Sequence, residues 1–217
     1  MPSNRSPRYT LVSEGPSDRS LIFIIDWLLL QHSPEVFQSQ WGDLGQLRKR
    51  PRNLNEKIAC ALDLYPADLI FVHRDADDGP REDRVSEIRA ALPASPPAVC
   101  VIPVRTTESW FLIDEIAIRR AAGNPNGKVP LRLPKPSEIE NKPDPKGMVH
   151  ELLKVSSELP NHRLHQFRAP ASFLRLAESI EDFSALRQLS AFAAFEADLK
   201  AILAENEWGL PPLARPK

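Results

Sequence analysis

The stretch from residue 68 to residue 77 constrains the fold of this chain more than any other part of its sequence. Residues 68–73 read Asp-Leu-Ile-Phe-Val-His, and an acidic cluster that contains Asp75 and Asp77 follows directly. A nearly continuous apolar run is typical of a strand covered on both faces, as in a parallel sheet between layers of helices. Ligands of such sheets bind beyond the carboxyl ends of the strands, so the acidic cluster is predicted to lie at a binding edge.

The rest of the first half of the chain alternates between strand-like and helix-like segments. The hydrophobic patterns predict strands at 9–13, 36–41, 68–73 and 98–104, and helices at 17–32, 53–64, 81–92 and 106–122. Strands that alternate with helices through short loops indicate an α/β fold, with a parallel sheet flanked by helices.

The composition and the hydrophobic periodicity of the sequence change after residue 122. Two glycines and six prolines fall within residues 123–146, where few apolar positions recur at a regular period. Later segments return to helical periodicity, at 170–180 and 190–205. We therefore predict an α/β domain over 8–122, an irregular Pro-rich segment over 123–147, and a C-terminal helical extension over 148–209 that packs on the α/β domain.

Composition limits the possible functions only weakly. The chain is 42% hydrophobic and 26% charged, with a formal net charge of −1, which is ordinary for a soluble protein and neither indicates nor excludes nucleic-acid binding. The longest apolar stretch, 21–30, is interrupted by Asp26 and is too short to cross a bilayer. No membrane contact and a cytoplasmic location are expected. Cys60 and Cys100 lie in separate apolar runs and are predicted to be buried free thiols.

Carboxylates follow two of the predicted strands and carry the main functional hypothesis. Glu14 follows the first strand, and Asp75 and Asp77 follow the third. Residues two apart in an extended segment point the same way, so Asp75 and Asp77 are expected to face one ion. Mg²⁺, or Mn²⁺ in its place, prefers oxygen ligands and needs few carboxylates, because it retains several waters. Such an ion would stabilise charge on a phosphate under attack.

Each acidic segment also has a simpler interpretation. Residues 14–18 can form a turn with Asp18 as a helix cap, and residues 75–79 can form a solvated turn. The position of both clusters after buried strands favours a site over two unrelated turns. A phosphotransfer protein with Asp75 as nucleophile ranks last, since residues 78–80 offer no hydroxyl group.

The residues at the two strand ends resemble the motifs of Toprim domains. Residues 11–18, Leu-Val-Ser-Glu-Gly-Pro-Ser-Asp, are similar to the Glu-Gly-x-x-Asp opening of that superfamily, and residues 71–77 are similar to its strand ending in Asp-x-Asp. The resemblance implies a Toprim-like (Rossmann-like) fold. It also implies a catalytic set of Glu14, Asp75 and Asp77, in which Glu14 serves as general acid or base or as a metal ligand, and the two aspartates bind Mg²⁺.

Two further segments resemble a small bacterial Toprim-like family that is often associated with phage defence. These are residues 108–114, Glu-Ser-Trp-Phe-Leu-Ile-Asp, and residues 144–146, Asp-Pro-Lys. The resemblance implies that Glu108 adds a carboxylate to the metal site. An acidic residue in the first turn of a helix is also favoured by the helix dipole alone, so a purely structural role for Glu108 stays open. The chain has no phosphate-cradling Gly-x-x-x-x-Gly-Lys loop, so any ATPase would be a separate protein.

Several basic residues are candidates for contact with a nucleic acid. They lie in a dense basic run, beside the acidic cluster, or just before a helix, and they are Arg48, Lys49, Arg50, Arg52, Arg74 and Lys146. For most of them a solvated surface charge is the simpler alternative.

Together these features predict a Mg²⁺-dependent, nuclease-like protein that acts on nucleic-acid phosphodiesters, with DNA ahead of RNA, in a phage-defence or DNA-maintenance system. The expected partners are nucleic acid and a separate ATPase or defence-system protein. The alternative is a non-catalytic Toprim-like module that binds nucleic acid or a partner ATPase. The intact set of carboxylates favours the enzyme, because clustered carboxylates repel one another and a binding module has no need of them.

Overall fold

The computed structural model describes residues 5–210 and is built around a parallel sheet. The sheet has the strand order β2-β1-β3-β4 and consists of β1 (Arg8–Val12), β2 (Gln38–Trp41), β3 (Leu69–His73) and β4 (Ala98–Val101). All three pairings are parallel. The prediction of an α/β fold with a parallel sheet flanked by helices is confirmed.

Helices connect the strands and continue after the last of them. The connections carry α1 (Leu21–His32), α2 (Leu54–Leu64) and α3 (Arg81–Ala91). After the sheet come α4 (Glu115–Ala121), α5 (Pro145–Ser157), α6 (Asn161–Leu164), α7 (Ala169–Ser179) and α8 (Ser190–Glu205). Within residues 5–210, no helix has both the length and the apolar character that crossing a membrane requires.

The strands alternate their side chains between two hydrophobic cores. On β3, Leu69 and Phe71 face the larger core, whereas Ile70 and Val72 face the smaller one, and all four are buried. Helices α1, α4, α5, α7 and α8 contribute to the larger core, and α2 and α3 to the smaller one. The helices after the irregular segment therefore cover the same face of the sheet as α1.

Helix α1 is buried along one face only, and its Leu30 is 68% exposed although the helix is apolar on nearly every side. Its only acidic residue, Asp26, accepts a hydrogen bond from the Tyr9 hydroxyl at 2.7 Å. Burial raises the pKa of the Asp26 carboxyl, and the bond from Tyr9 offsets part of that effect. The helix thus keeps a satisfied polar pair inside an otherwise apolar contact.

The segment predicted as one helix over 106–122 is divided in the structure. A 3₁₀ turn at Thr107–Phe111 comes first, and α4 begins only after Asp114. The Asp114 carboxylate accepts a hydrogen bond from the Ala117 amide at 3.0 Å. Aspartate competes poorly inside helices but caps their first turn well, so Asp114 starts a new helix. The helix predicted from residue 17 likewise opens with a 3₁₀ turn, Pro16–Ser20.

The Pro-rich segment runs irregularly except for a 3₁₀ turn at Pro136–Asn141, and it is tied to the helices that flank it. The Glu158 carboxylate, just after α5, accepts a hydrogen bond from the Val129 amide at 2.9 Å. Arg119 of α4 donates to the Val129 carbonyl at 2.8 Å. These contacts explain how a segment without regular structure holds a defined path.

The two cysteines form no disulfide. Cys100 is buried in the smaller core, and Cys60 is half-buried against the same core. The prediction of free thiols is confirmed, although Cys60 is less deeply buried than expected.

Glu140 caps α8 across fifty residues of sequence, and we expect Glu140→Ala to lower the free energy of unfolding by about 1 kcal/mol. Its carboxylate accepts hydrogen bonds from the Ser190 and Ala191 amides at 3.0 and 2.9 Å, in the first turn of α8. Urea denaturation measures the loss. Glu138→Ala is the control, because among residues 5–210 the Glu138 carboxylate pairs only with Lys142, at 3.8 Å. An equal loss in both variants would contradict the capping role.

Candidate functional site

The carboxyl ends of β1 and β3 bring the first two acidic segments to the same edge of the sheet. Val12 pairs with Val72, so Glu14 and Arg74 follow at the same level. Arg74 Nε lies 3.0 Å from Glu14 Oε1. The edge therefore contains both the opening glutamate and the start of the Asp-x-Asp segment.

Two of the predicted metal ligands are paired with arginines of this edge. Besides the pair of Glu14 with Arg74, Asp77 Oδ2 lies 2.8 Å from Arg84 Nη2 of α3. Glu87 links the two arginines, at 3.2 Å from Arg74 and 3.0 Å from Arg84. In the part of the chain that the structure describes, no three histidine, cysteine or acidic side chains form a group that could hold a metal ion.

His73, the last residue of β3, lies between two carboxylates. Its Nδ1 is 3.4 Å from Asp18 Oδ2, and its Nε2 is 3.1 Å from Asp75 Oδ1. Burial opposes the charge on His73, but the hydrogen bonds and charges of Asp18 and Asp75 outweigh burial and raise its pKa to about 9. Burial also acts to raise the pKa of Asp18, yet the hydrogen bond and charge of His73 hold it below its ordinary value. A buried imidazolium thus joins two carboxylates.

Asp75 is fixed in orientation by the turn that follows β4. The Thr107 amide donates to Asp75 Oδ1 at 2.8 Å, and Thr107 Oγ1 lies 3.0 Å from His73 Nε2. The Asp75 side chain is 20% exposed, so it still reaches the surface of the edge. Its position is set by a backbone amide and a buried cation, which leaves it little freedom to turn.

The Asp77 side chain does not point in the direction that an extended segment would give it. Its φ is 53°, and its amide donates to the Arg105 carbonyl at 3.0 Å, in a short antiparallel bridge with the loop after β4. Asp77 is 66% exposed and turned to Arg84, whereas Asp75 is turned inward to His73. The expected common direction of the two aspartates is not observed, because the left-handed residue breaks the alternation.

Glu108 and Lys146 form an ion pair at the same edge. Glu108 lies in the 3₁₀ turn Thr107–Phe111 with its side chain 5% exposed, and Lys146 Nζ is 3.0 Å from its Oε1. Asp144 caps α5 through the Gly147 amide at 2.8 Å, which places Lys146 in the first turn of that helix. The hydrogen bond to Glu108 raises the pKa of Lys146, and Asp18 and Asp75 add to the attraction. Helix α5 therefore contributes a cation to the edge.

The basic run occupies the loop between β2 and α2. Its members are exposed, and they are Arg48, Lys49, Arg50 and Arg52. Of these, Arg50 reaches toward the acidic edge, where it lines a cavity together with Glu14.

Several residues of the edge were not singled out from the sequence. The sequence patterns predict only a capping role for Asp18, and they predict no functional role for His73, Thr107 or Arg84. The clearest available signal was His73, because a histidine inside an otherwise apolar, fully covered strand requires a buried polar partner. The arginines gave no such signal, since charged residues in loops and helices are common.

No protein-family model, curated protein or solved structure matches this chain. The fold and the edge define a parallel α/β protein in which carboxylates and basic side chains meet at the carboxyl ends of the strands. The likeness to Toprim proteins rests on the sequence motifs alone.

Proposed function

We propose that the protein is a metal-dependent, nuclease-like enzyme that cleaves nucleic-acid phosphodiesters at the carboxyl edge of β1 and β3. The observation that carries the proposal is the meeting of Glu14, Asp75 and Asp77 with Arg74 and Arg84 at this edge. Carboxylates suit a hard divalent cation, and arginines suit the oxygens of a phosphate. Metal-dependent cleavage of a phosphodiester uses both.

The donor set suits Mg²⁺ or Mn²⁺ in its chemistry, although no preassembled group of three ligands lies within residues 5–210. Mg²⁺ keeps several waters and needs only one or two carboxylates. Asp75 would hold the ion together with Glu14 and Asp77, and Glu108 would support them. The ion would supply charge stabilisation at the phosphate and an acidified water. Because Glu14 and Asp77 are bound to arginines, a metal ion must compete with those arginines.

The side chains of the edge have separate roles in this proposal. Arg74, Arg84 and Lys146 bind the phosphate, and a phosphate can replace the carboxylates that now accept from them. Glu14 is exposed and takes or returns a proton. His73 does not meet the substrate, since it is fully buried, and instead holds Asp75 in place.

Nucleic acid is the proposed substrate, with DNA ahead of RNA, and a phage-defence or DNA-maintenance system is the proposed setting. A separate ATPase or defence-system protein is the proposed partner. The second candidate is a non-catalytic module that binds nucleic acid or such a partner. Its support is the pairing of Glu14 and Asp77 with arginines, which satisfies their charges without any metal.

Calorimetry with Mn²⁺ and a cleavage assay on single-stranded and duplex DNA test the enzyme. We expect Asp75→Asn to weaken metal binding by at least about tenfold and to remove metal-dependent cleavage. Asp78→Asn is the matched control, because Asp78 lies in the same loop but pairs outward with Arg105, and it should retain both properties. Circular dichroism checks that both variants are folded.

The outcomes separate the two candidates. Metal binding without cleavage of DNA or RNA would favour the non-catalytic module. If the unaltered protein binds no metal, either alone or with DNA present, the metal-dependent enzyme is wrong.

A further inference from the structure

A cavity of about 580 Å³ lies beside the acidic edge, between the loop after β1 and the loop after β2. Its lining includes Glu14 from the first loop, Trp41 from the end of β2, Arg50 from the second loop, and Lys57 from α2. Sites for small ligands commonly have volumes of about 300–1,000 Å³. The cavity is therefore large enough for a ligand and shares one wall with the proposed catalytic edge.

Lys57 is the most informative residue of this cavity. It is half-buried, and its ammonium donates to the Glu14 carbonyl at 3.2 Å. Within residues 5–210 it forms no salt bridge, whereas Arg74 and Lys146 at the same edge each have a carboxylate partner. A half-buried ammonium without a carboxylate is stabilised by an anion that enters the cavity.

The wall of the cavity carries two carboxylates and two cations, and within residues 5–210 neither of the cations has a carboxylate partner. The carboxylates in its wall are already engaged, Glu14 by Arg74 at 3.0 Å and Asp43 by the Gly45 amide at 2.9 Å. Arg50 forms no salt bridge in the described part of the chain and is exposed. Lys57 and Arg50 are thus two cations available to one anionic ligand.

Trp41 adds an aromatic surface to the same cavity. It ends β2, and its indole Nε1 donates to Ser13 Oγ at 3.0 Å, which fixes the orientation of the ring. Aromatic side chains beside basic ones form the usual platform for single-stranded nucleic acid, because every base has a face that stacks. The combination of a fixed indole with two cations fits a nucleotide better than it fits a simple anion.

We propose that this cavity binds one nucleotide unit, with its phosphate at Lys57 and Arg50 and its base against Trp41. The inference rests on the proposed function in one respect. Because Glu14 belongs both to the cavity and to the proposed catalytic edge, the bound nucleotide would lie next to the phosphodiester that is cleaved. A free nucleoside monophosphate and a nucleotide within a strand share this chemistry.

Fluorescence anisotropy of a labelled ten-residue oligothymidylate, measured in EDTA, tests the cavity without the metal. We expect Lys57→Gln to weaken binding by about tenfold and to reduce the salt dependence of binding by about one phosphate contact. Trp41→Leu should weaken binding without changing the salt dependence. Lys200→Gln removes the same charge from the exposed face of α8 and should leave binding within about twofold.

Competition experiments separate a free nucleotide from a nucleotide within a strand. Competition by thymidine monophosphate but not by inorganic phosphate would support a pocket that takes free nucleotides. Competition by neither, with the Lys57→Gln and Trp41→Leu effects present, would support a nucleotide within a strand. Equal binding by the unaltered protein, Lys57→Gln and Arg50→Gln would overturn the proposal. Because EDTA removes the metal, a failure of DNA cleavage with intact metal-free binding contradicts only the enzyme.

Discussion

Replacement of His73 by leucine is expected to lower the free energy of unfolding by about 3–5 kcal/mol, because it leaves the buried Asp18 carboxylate and the partly buried Asp75 carboxylate without their cation. His73 is 1% exposed and lies within 3.4 Å of both Asp18 and Asp75. The leucine fills much of the same volume, so the loss reports charge and hydrogen bonding more than a cavity. Urea denaturation at neutral pH measures it.

His32→Leu is the matched control for that experiment. His32 also pairs with a carboxylate, Glu196 at 2.7 Å, but Arg187 binds the same carboxylate at 2.8 Å. Glu196 keeps a partner when His32 is removed, so we expect a loss below about 1 kcal/mol. Similar losses in the two variants would show that the group of Asp18, His73 and Asp75 contributes no more to stability than a surface ion pair does.

The stabilising effect of His73 should also depend on pH. Its pKa is raised from 6.5 to about 9 in the folded protein, so its contribution is complete below the lower value and is lost as the pH rises through the higher one. The pKa of Asp18 is lowered, so its contribution is lost as the pH falls through that lowered value. The difference in stability between the unaltered protein and His73→Leu should therefore be smaller at pH 9.5 than at pH 6. A difference that does not change between these two conditions would contradict the charged state of His73.

Replacement of Trp110 by alanine is the other substitution with a large expected effect, about 3–5 kcal/mol in the free energy of unfolding. The indole is fully buried and stacks on Phe195 of α8 with ring centres 5.8 Å apart. Phe192 of the same helix meets it edge-on at 5.4 Å. The substitution opens a void between α8 and the turn that carries Thr107 and Glu108.

Chemical denaturation again measures the effect, with Trp208→Ala as its control. Trp208 is only half-buried and packs against Phe37 at 5.5 Å, so its removal should cost distinctly less. Trp110→Phe should restore most of the stability, since a smaller ring still fills much of the space. If Trp110→Ala costs no more than Trp208→Ala, the packing of α8 on the turn contributes little.

The elements that the sequence predicted best are those set by local pattern. Residues 69–73 form a strand that is buried on both faces, because a nearly continuous apolar run places apolar side chains on both faces of the sheet. Asn53 begins α2 because its side chain satisfies the Glu56 amide, at 2.8 Å. The position of Glu14 and Asp75 after their strands follows from the same patterns.

The contacts that the sequence did not predict depend on residues far apart in the chain. His73 lies between Asp18 and Asp75 only because β1 and β3 pair in one particular register, and no local sequence pattern specifies that register. The pairing of Lys146 with Glu108 requires the path of the whole Pro-rich segment. The division of 106–122 has a local cause instead, because the Asp114 side chain caps the Ala117 amide and starts a new helix.

The larger core draws its members from Tyr9 to Leu203, and this has a consequence for synthesis on the ribosome. Phe71 of the central strand β3 meets Phe195 of α8 at 6.1 Å. Until α8 has left the exit tunnel, that face of the nascent sheet lacks its last cover and displays aromatic side chains to water. A chain stalled before this point would expose a surface of the kind that holding chaperones recognise, even though all four strands had already been made.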